Sequence, residues 1–321
     1  MITKDIHKAK TVLLKNDIIA IPTETVYGLA GNAYEEEALK KIYLLKKRPL
    51  NNPLIVHIHS LEQLHDVAEE IPEMALHLAK TFWPGPLTLI LKKRANIPYI
   101  VTSGKETVAV RMPGHQLTLD LLQQLDFPLA APSANPYGSI SPTSAAHVEH
   151  YFKEQLEVIL DGGECERGVE STIIGFLNDQ PILYRHGSIA LEEIENNIGR
   201  VQIQNHSTDQ PEAPGMQKRH YAPNTESYLT NNIEDLIRTL PYKKLGVLSF
   251  KNSIQHENVI HQIILSKNGD YSEAAKNLFS ALHQLDQLNL DAIIAERLPN
   301  EDLGRTINDR LERAIQKNPE E

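Results

Sequence analysis

Ile19-Ala20-Ile21-Pro22-Thr23-Glu24-Thr25-Val26-Tyr27-Gly28 opens the stretch that decides how this chain folds, and Asn52-Pro53-Leu54-Ile55-Val56-His57 closes it. An apolar strand breaks at a proline into a run of hydroxyls. A helix follows, then Lys46-Lys47-Arg48-Pro49, and the chain turns straight into another strand. Pro49 and Pro53 stop the helix and force that turn. From 38 to 61 there is no Asp or Glu, yet Lys40, Lys41, Lys46, Lys47 and Arg48 all fall inside it. A solvated helix face would account for such a run. The prolines and Asn52 at its end point instead to an anion site where strand ends and a helix end converge.

These cations are not leftovers of a basic surface, because the formal net charge is -10. That balance argues against wholesale coating of nucleic acid and leaves room for a local basic groove. At 321 residues, 41% hydrophobic and 23% charged, the chain has the make-up of a globular protein of two domains. No run approaches the ~18 apolar residues of a membrane span, and Met1-Ile2-Thr3-Lys4-Asp5 carries no apolar signal core. A cytoplasmic protein without membrane contact is expected. Cys165 is the single cysteine, so an internal disulfide and a Cys-based zinc finger are excluded. Glu164 and Glu166 beside it would raise the thiol by like-charge repulsion, which suits a structural residue better than a nucleophile.

Outward from the opening stretch, helical spacing of Ile6, Ala9, Val12 and Leu13 predicts a first helix over 5–15, and Glu35, Glu36 and Glu37 suit the start of a second. Strands are predicted at 18–21, 54–58 and 87–91, with helices at 61–68 and 73–82 between them and a forced turn at Trp83-Pro84-Gly85-Pro86. In Thr107-Val108-Ala109-Val110-Arg111, alternation puts Thr107, Ala109 and Arg111 on one strand face. A helix over 117–125 leads to a strand at 128–131, which ends in Pro132-Ser133-Ala134-Asn135-Pro136. There Ser133 and Asn135 point the same way if extended. Ser141-Pro142-Thr143 reads as the cap of a helix, and strands follow at 158–160, about 169–174 and about 182–187.

The composition changes over 204–225 to His, Ser, Thr, Asp, Gln and Pro, which marks a linker between a first domain, 1–203, and a second, 226–321. Inside it, Pro214-Gly215-Met216-Gln217-Lys218-Arg219-His220-Tyr221-Ala222-Pro223 is too basic and aromatic for a passive spacer. The second domain alternates strands at 245–250, 259–265 and 292–295 with helices at 232–240, from 270, and at 307–315, the pattern of a small open α/β sheet. It has no G-x-G-x-x-G. Gly104-Lys105 lacks the surroundings of a P-loop, with Tyr99 and Glu106 in the decisive positions. His57 and His59 share a strand face with no carboxylate nearby in sequence, so no metal site is expected. No G-x-S-x-G surrounds Ser133 or Ser171.

At these residues the chain resembles the YrdC/Sua5 family. The motifs run in order: Pro22-Thr23-Glu24-Thr25-Val26-Tyr27-Gly28-Leu29, Lys46-x-Arg48-Pro49, Asn52-Pro53-Leu54-Ile55-Val56-His57, Trp83-Pro84-Gly85-Pro86, Val110-Arg111-Met112-Pro113, Ala131-Pro132-Ser133-Ala134-Asn135 and Gly168-Val169-Glu170-Ser171-Thr172. The linker motif, followed by a second α/β domain with Asn308-Asp309-Arg310-Leu311 near its end, is similar to the longer Sua5 branch. The resemblance implies a YrdC-like twisted mixed sheet with a concave site, joined to a small Rossmann-like Sua5 domain. It implies L-threonylcarbamoyladenylate synthesis from L-threonine, bicarbonate or CO2, and ATP, with pyrophosphate as co-product, for the t6A37 modification of tRNA.

Thr25, His57, Arg111, Ser133 and Ser171 are then expected to hold threonine. Lys46, Arg48, Asn52, Thr107, Asn135, Ser141, Thr143 and Arg185 are expected to hold ATP, and Arg219, His220 and Tyr221 to close over both as a lid. Lys46, Arg48 and Arg111 carry the catalytic expectation, through neutralisation of developing charge and a forked clamp on the threonine carboxylate. Mg2+ is expected only as ATP's companion, with no protein cage. Implied partners are a downstream t6A transferase complex and a weak contact with tRNA. Two alternatives share the cations: a double-stranded RNA or tRNA-binding protein without catalysis, and a carbamoyl-transfer enzyme of the hydrogenase-maturation type. The zinc fingers of the latter conflict with a single cysteine.

Overall fold

The computed structural model describes residues 1–204 and 220–315. Ile19–Ile21 does not lead into a helix. It pairs antiparallel with Gly28–Asn32, with Ile19 opposite Ala30 and Ile21 opposite Gly28. The hydroxyl-rich run 22–27 is therefore a hairpin tip. Thr23 shapes it: its Oγ1 accepts from the amides of Thr25 and Val26 and donates to the Val26 carbonyl at 2.6 Å. Gly28–Asn32 was invisible to strand patterning because Gly-Leu-Ala-Gly-Asn has no β-branched residue. Its glycines serve close approach instead, since a Cβ on Gly31 would stand 3.2 Å from both Ala38 Cβ and Ile18 Cγ2.

Among the described residues these strands belong to a twelve-stranded mixed sheet. Its central order is Gly28–Asn32, Leu129–Ala130, Ile55–His57, Thr107–Arg111, Leu87–Lys93, Thr172–Leu177 and Gln180–Arg185. The register puts His57 beside Arg111 on one side and Leu129 on the other. Leu89, Leu91, Val108 and Val110 point from the sheet into the main helical core. Ile55, Ile90, Ala109 and Ile173 form a small apolar patch on the opposite face. The alternation expected of 107–111 thus holds, and the Ala109 face is the one that lies under the site.

The helix Glu36–Lys46 carries the basic run and ends at Lys47, whose φ of 53° is left-handed. Strand 172–177 begins three residues later than the alternation suggested, and the helix Ala145–Phe152 is capped by Ser144, not by Ser141 or Thr143. Ser141 and Thr143 are buried in the irregular segment before that helix.

The second sheet is parallel, in the order Ser227–Thr230, Ala292–Glu296, Leu245–Ser249, Val259–Ile264. Two of its helices begin at side-chain caps: the Asn232 side chain accepts from the Asp235 amide and the Asp270 side chain from the Glu273 amide. Tyr271–Asp286 and Gly304–Ala314 pack between this sheet and the first unit. One buried apolar cluster joins Val26, Ile140 and Val169 to Tyr221, Leu278, Phe279, Ile307 and Leu311. Each such side chain contributes about 1.5–3 kcal/mol on burial. Backbone meets backbone here too: a Cβ on Gly168, at φ +71°, would fall 2.2 Å from the Lys276 carbonyl oxygen.

Candidate active site

The ends of Ile19–Ile21, Ile55–His57 and Thr107–Arg111 open onto a cavity of about 50 Å³. Its walls include Thr25, Arg48, His57, Arg111, Ser133, Glu170, Ser171, Arg185, His220 and Tyr221. All five residues expected to hold threonine are in that wall. Of the eight expected to hold ATP, Arg48 and Arg185 are. Lys46, Asn52, Asn135, Ser141 and Thr143 are buried behind the wall, and Thr107 lies four residues, or ~13 Å, along its strand from Arg111. Arg219 lies outside the described residues.

The cationic run divides in two. Lys40 and Lys41 are outer-face residues paired with Glu36 and with Asp17 and Glu37. Lys46 and Arg48 turn inward, where carbonyls replace carboxylates as partners. Lys46 Nζ donates to Ser133 O at 2.6 Å and to Asn135 O. Burial first, and Arg48 second, pull its pKa well below the ordinary lysine value. Lys46 therefore fixes the strand-end loop that presents Ser133. Arg48 Nε donates to Asn52 O at 3.0 Å and its Nη2 to Pro53 O at 2.8 Å and to Asn52 Oδ1. Asn135 spends its amide donors on Pro136 O and Ser139 O, closing a turn instead of facing the cavity.

Arg111 is not an unopposed hook. Its Nη2 lies 2.7 Å from Glu24 Oε1 in a buried ion pair, and Glu24 Oε2 accepts from the Gly114 amide at 2.9 Å. Neither Arg111 Nη2 nor Glu24 Oε1 is aligned as a hydrogen bond, so the contact is one of charge alone. Glu24 stood in the quoted motif but drew no role. Its sequence signal was a lone carboxylate between two threonines, and its partner comes from another strand.

His57 is neutral: burial, then Arg111, depress its pKa to about 3, and its Nδ1 donates to Ile55 O at 3.2 Å. Ser171 Oγ lies 2.7 Å from Thr88 Oγ1. It also accepts from Arg185 Nη2 at 3.0 Å, while the Ser171 carbonyl takes Arg185 Nε and Nη2. Burial lowers Arg185 to about 10, still charged at neutral pH. The thiol of Cys165 is raised by burial first and by Glu24 second, not chiefly by its sequence neighbours, and it is structural.

Two wall residues come from the linker motif itself. His220 and Tyr221 are both buried, and Tyr221 stacks on Phe279 at 5.3 Å. His220 is kept neutral by burial and then by Arg48, Lys46, Arg310 and Arg185, so it sits where four cations converge. A cavity this small holds a few water molecules.

Residues 11–187 match the Sua5/YciO/YrdC family model, described as "Telomere recombination", and residues 189–315 match the model "Threonylcarbamoyl-AMP synthase, C-terminal domain". The chain belongs to the Sua5/YrdC family. This Sua5/YrdC chain is 44% identical to the threonylcarbamoyl-AMP synthase of Pyrococcus abyssi, across 96% of its own length and 93% of the relative's. It is 41% identical to the enzyme of the same name in Bacillus subtilis, across 96% and 92%. The crystal structure of P. abyssi Sua5 complexed with L-threonine superposes with a TM-score of 0.88 at 42% identity, covering 97% of this chain and 96% of that one.

Proposed function

We infer that this chain is a threonylcarbamoyl-AMP synthase, joining L-threonine, bicarbonate or CO2, and ATP into threonylcarbamoyl-AMP with release of pyrophosphate. Likeness along both units to synthases of that name, one of them solved with L-threonine, is the observation that carries this reading. The pocket agrees with it. Thr25, His57, Ser133 and Ser171 offer short polar groups and a neutral imidazole around Arg111, chemistry that suits a small zwitterion. In this reading Arg111 turns from Glu24 to fork onto the threonine carboxylate. The threonine amine, once deprotonated, takes up CO2 as a carbamate, and a carbamate oxygen attacks the α-phosphorus. That makes the enzyme a nucleotidyltransferase.

Arg48 and Arg185 are the cations in the wall that face the phosphates. Lys46, Asn52, Asn135, Ser141 and Thr143 stand behind them, and contact ATP only on changing partners. Thr107 fits the far end of an elongated ligand. Such a transfer is mostly positioning and charge neutralisation. Mg2+ enters on the nucleotide: Glu24 and Glu170, the carboxylates at the pocket, are each tied to an arginine and are poor ligands for it. His220 and Tyr221 act as the cover. We assign the product to a downstream t6A transferase complex and the enzyme to the cytoplasm, with weak tRNA contact at most.

Burial of Lys46, Arg48, Arg111 and Arg185 disfavours the RNA-binding reading, which needs cations on an open surface. Pyrophosphate release from ATP should require both threonine and bicarbonate. Release indifferent to threonine would defeat this reading.

A further inference from the structure

We propose that Arg310, carried by the second unit, is a positioning residue of the pocket: it holds Glu170 in the wall and keeps that carboxylate from drawing Arg185 off Ser171. The proposal rests on the threonine and ATP reading above.

Arg310 is 1% exposed, on the helix Gly304–Ala314. Each limb of its guanidinium is engaged. Nε donates to Glu170 Oε2 at 2.8 Å, Nη2 to His186 O at 2.7 Å, and Nη1 to Asp309. Its plane lies over the Tyr221 ring, 5.2 Å from the centroid. Asp309 is itself gripped by Arg313 through Nε at 3.0 Å and Nη2 at 2.9 Å. The fork is therefore set before it reaches the first unit. There Glu170 Oε1 accepts from Ser141 Oγ at 2.6 Å, and its backbone carbonyl from Ser188.

Glu170 faces a cavity lined by Arg48, Arg111 and Arg185, where a triphosphate is expected. A free carboxylate there repels the phosphates and competes for the same cations. Burial alone would raise the Glu170 pKa; Arg310 first and Arg185 second reverse this, so the group is ionised. With Arg310 removed, Arg185 is the next cation to compensate Glu170. Arg185 also holds Ser171 through both its carbonyl and its hydroxyl, so a shift toward Glu170 disturbs the amino-acid wall as well. The second unit thereby braces a pocket whose walls come from the first unit and from His220 and Tyr221. Neighbouring backbone fixes the seam: a Cβ on Gly187 would fall 2.2 Å from Thr172 N, and Thr306 Oγ1 donates to Gly187 O at 2.9 Å.

The test uses the full chain with Arg310→Lys, Arg310→Met and the double variant Arg310→Met with Glu170→Gln. Arg305→Ala, which removes an exposed ion pair with Glu192, serves as the control. ATP and threonine affinities are read by calorimetry, KM and kcat by pyrophosphate release, and folding by circular dichroism. Arg310→Met should weaken ATP binding by about tenfold or more, at least ~1.4 kcal/mol, and raise the KM for ATP more than it lowers kcat. Arg310→Lys should fold normally and still bind weakly, because a single compact ammonium cannot span partners that the planar guanidinium meets through three separate nitrogens. The double variant should recover most of the ATP affinity, since no uncompensated carboxylate remains. Wild-type affinity in Arg310→Lys, or a double variant that folds yet binds as poorly as Arg310→Met, overturns the proposal. A wild-type protein that binds ATP but shows no threonine-dependent release would instead refute the functional reading.

Discussion

Glu24→Gln probes the ion pair that the proposed threonine site rearranges. The Arg111 and Glu24 side chains are 5% and 9% exposed and 2.7 Å apart. Breaking a buried pair by removing one charge costs about 3–5 kcal/mol, because the survivor is left uncompensated. Glutamine can still accept from the Gly114 amide, so the low end applies, about 3 kcal/mol. At about 2 °C per kcal/mol for a large chain, the melting temperature should fall by roughly 6 °C. Threonine reverses the logic. On the proposed reading, Arg111 in the wild type leaves Glu24 to take the substrate carboxylate, whereas in the variant that carboxylate supplies a missing partner. The threonine-induced rise in melting temperature should be larger in Glu24→Gln than in the wild type. Differential scanning fluorimetry across a threonine titration reads both quantities. A variant as stable as the wild type, or one with a smaller threonine shift, refutes the reasoning.

Arg111→Ala should abolish threonine-dependent pyrophosphate release, and near-normal turnover at ordinary threonine would remove Arg111 from the amino-acid site. His57 and His283 both have folded pKa values depressed to about 3, so below about pH 6.5 the unfolded chain binds the extra protons. Stability should therefore fall as pH drops from 6.5 toward 3, by about 2 kcal/mol per histidine between pH 7 and pH 5. Urea unfolding of wild type and His57→Gln should show the variant losing about 2 kcal/mol of that pH dependence, the rest coming from His283, His220 and the other histidines depressed by burial; equal slopes would contradict a neutral buried His57. Gly187→Ala places its Cβ 2.3 Å from the Ser171 carbonyl carbon, with no flexible side chain to yield. It should lower both soluble expression and threonine affinity, as checked by circular dichroism and calorimetry, and a normal variant would show that the seam beside Ser171 is loose.

What the sequence disclosed followed how local each signal was. Helix starts at Asp5 and Asp270 are set by the next three residues and could be read directly. Three of the four strands of the second sheet were legible from their apolar runs, Ser227–Thr230 escaping beside the polar linker, and so was the inward face of Thr107–Arg111. Gly28–Asn32 escaped because its strand character comes from its neighbours in the sheet and not from its own residues. Charge run alone could not separate Lys40 and Lys41, in water, from Lys46 and Arg48, buried on carbonyls a few residues away. Least legible were the compensating pairs. Glu24 meets Arg111 across the sheet, and Glu170 meets Arg310 at a separation of 140 residues, contacts that only the folded chain creates.

The central claim concerns the bond made, so it is tested most directly by following the carbon. The full chain is incubated with ATP, Mg2+, L-threonine and 13C-labelled bicarbonate, and the adenylates are resolved by mass spectrometry. The account predicts threonylcarbamoyl-AMP carrying the label, formed in step with pyrophosphate and missing when threonine is omitted. Pyrophosphate without a labelled threonine-containing adenylate, or no turnover from a folded protein that binds both substrates, would contradict it.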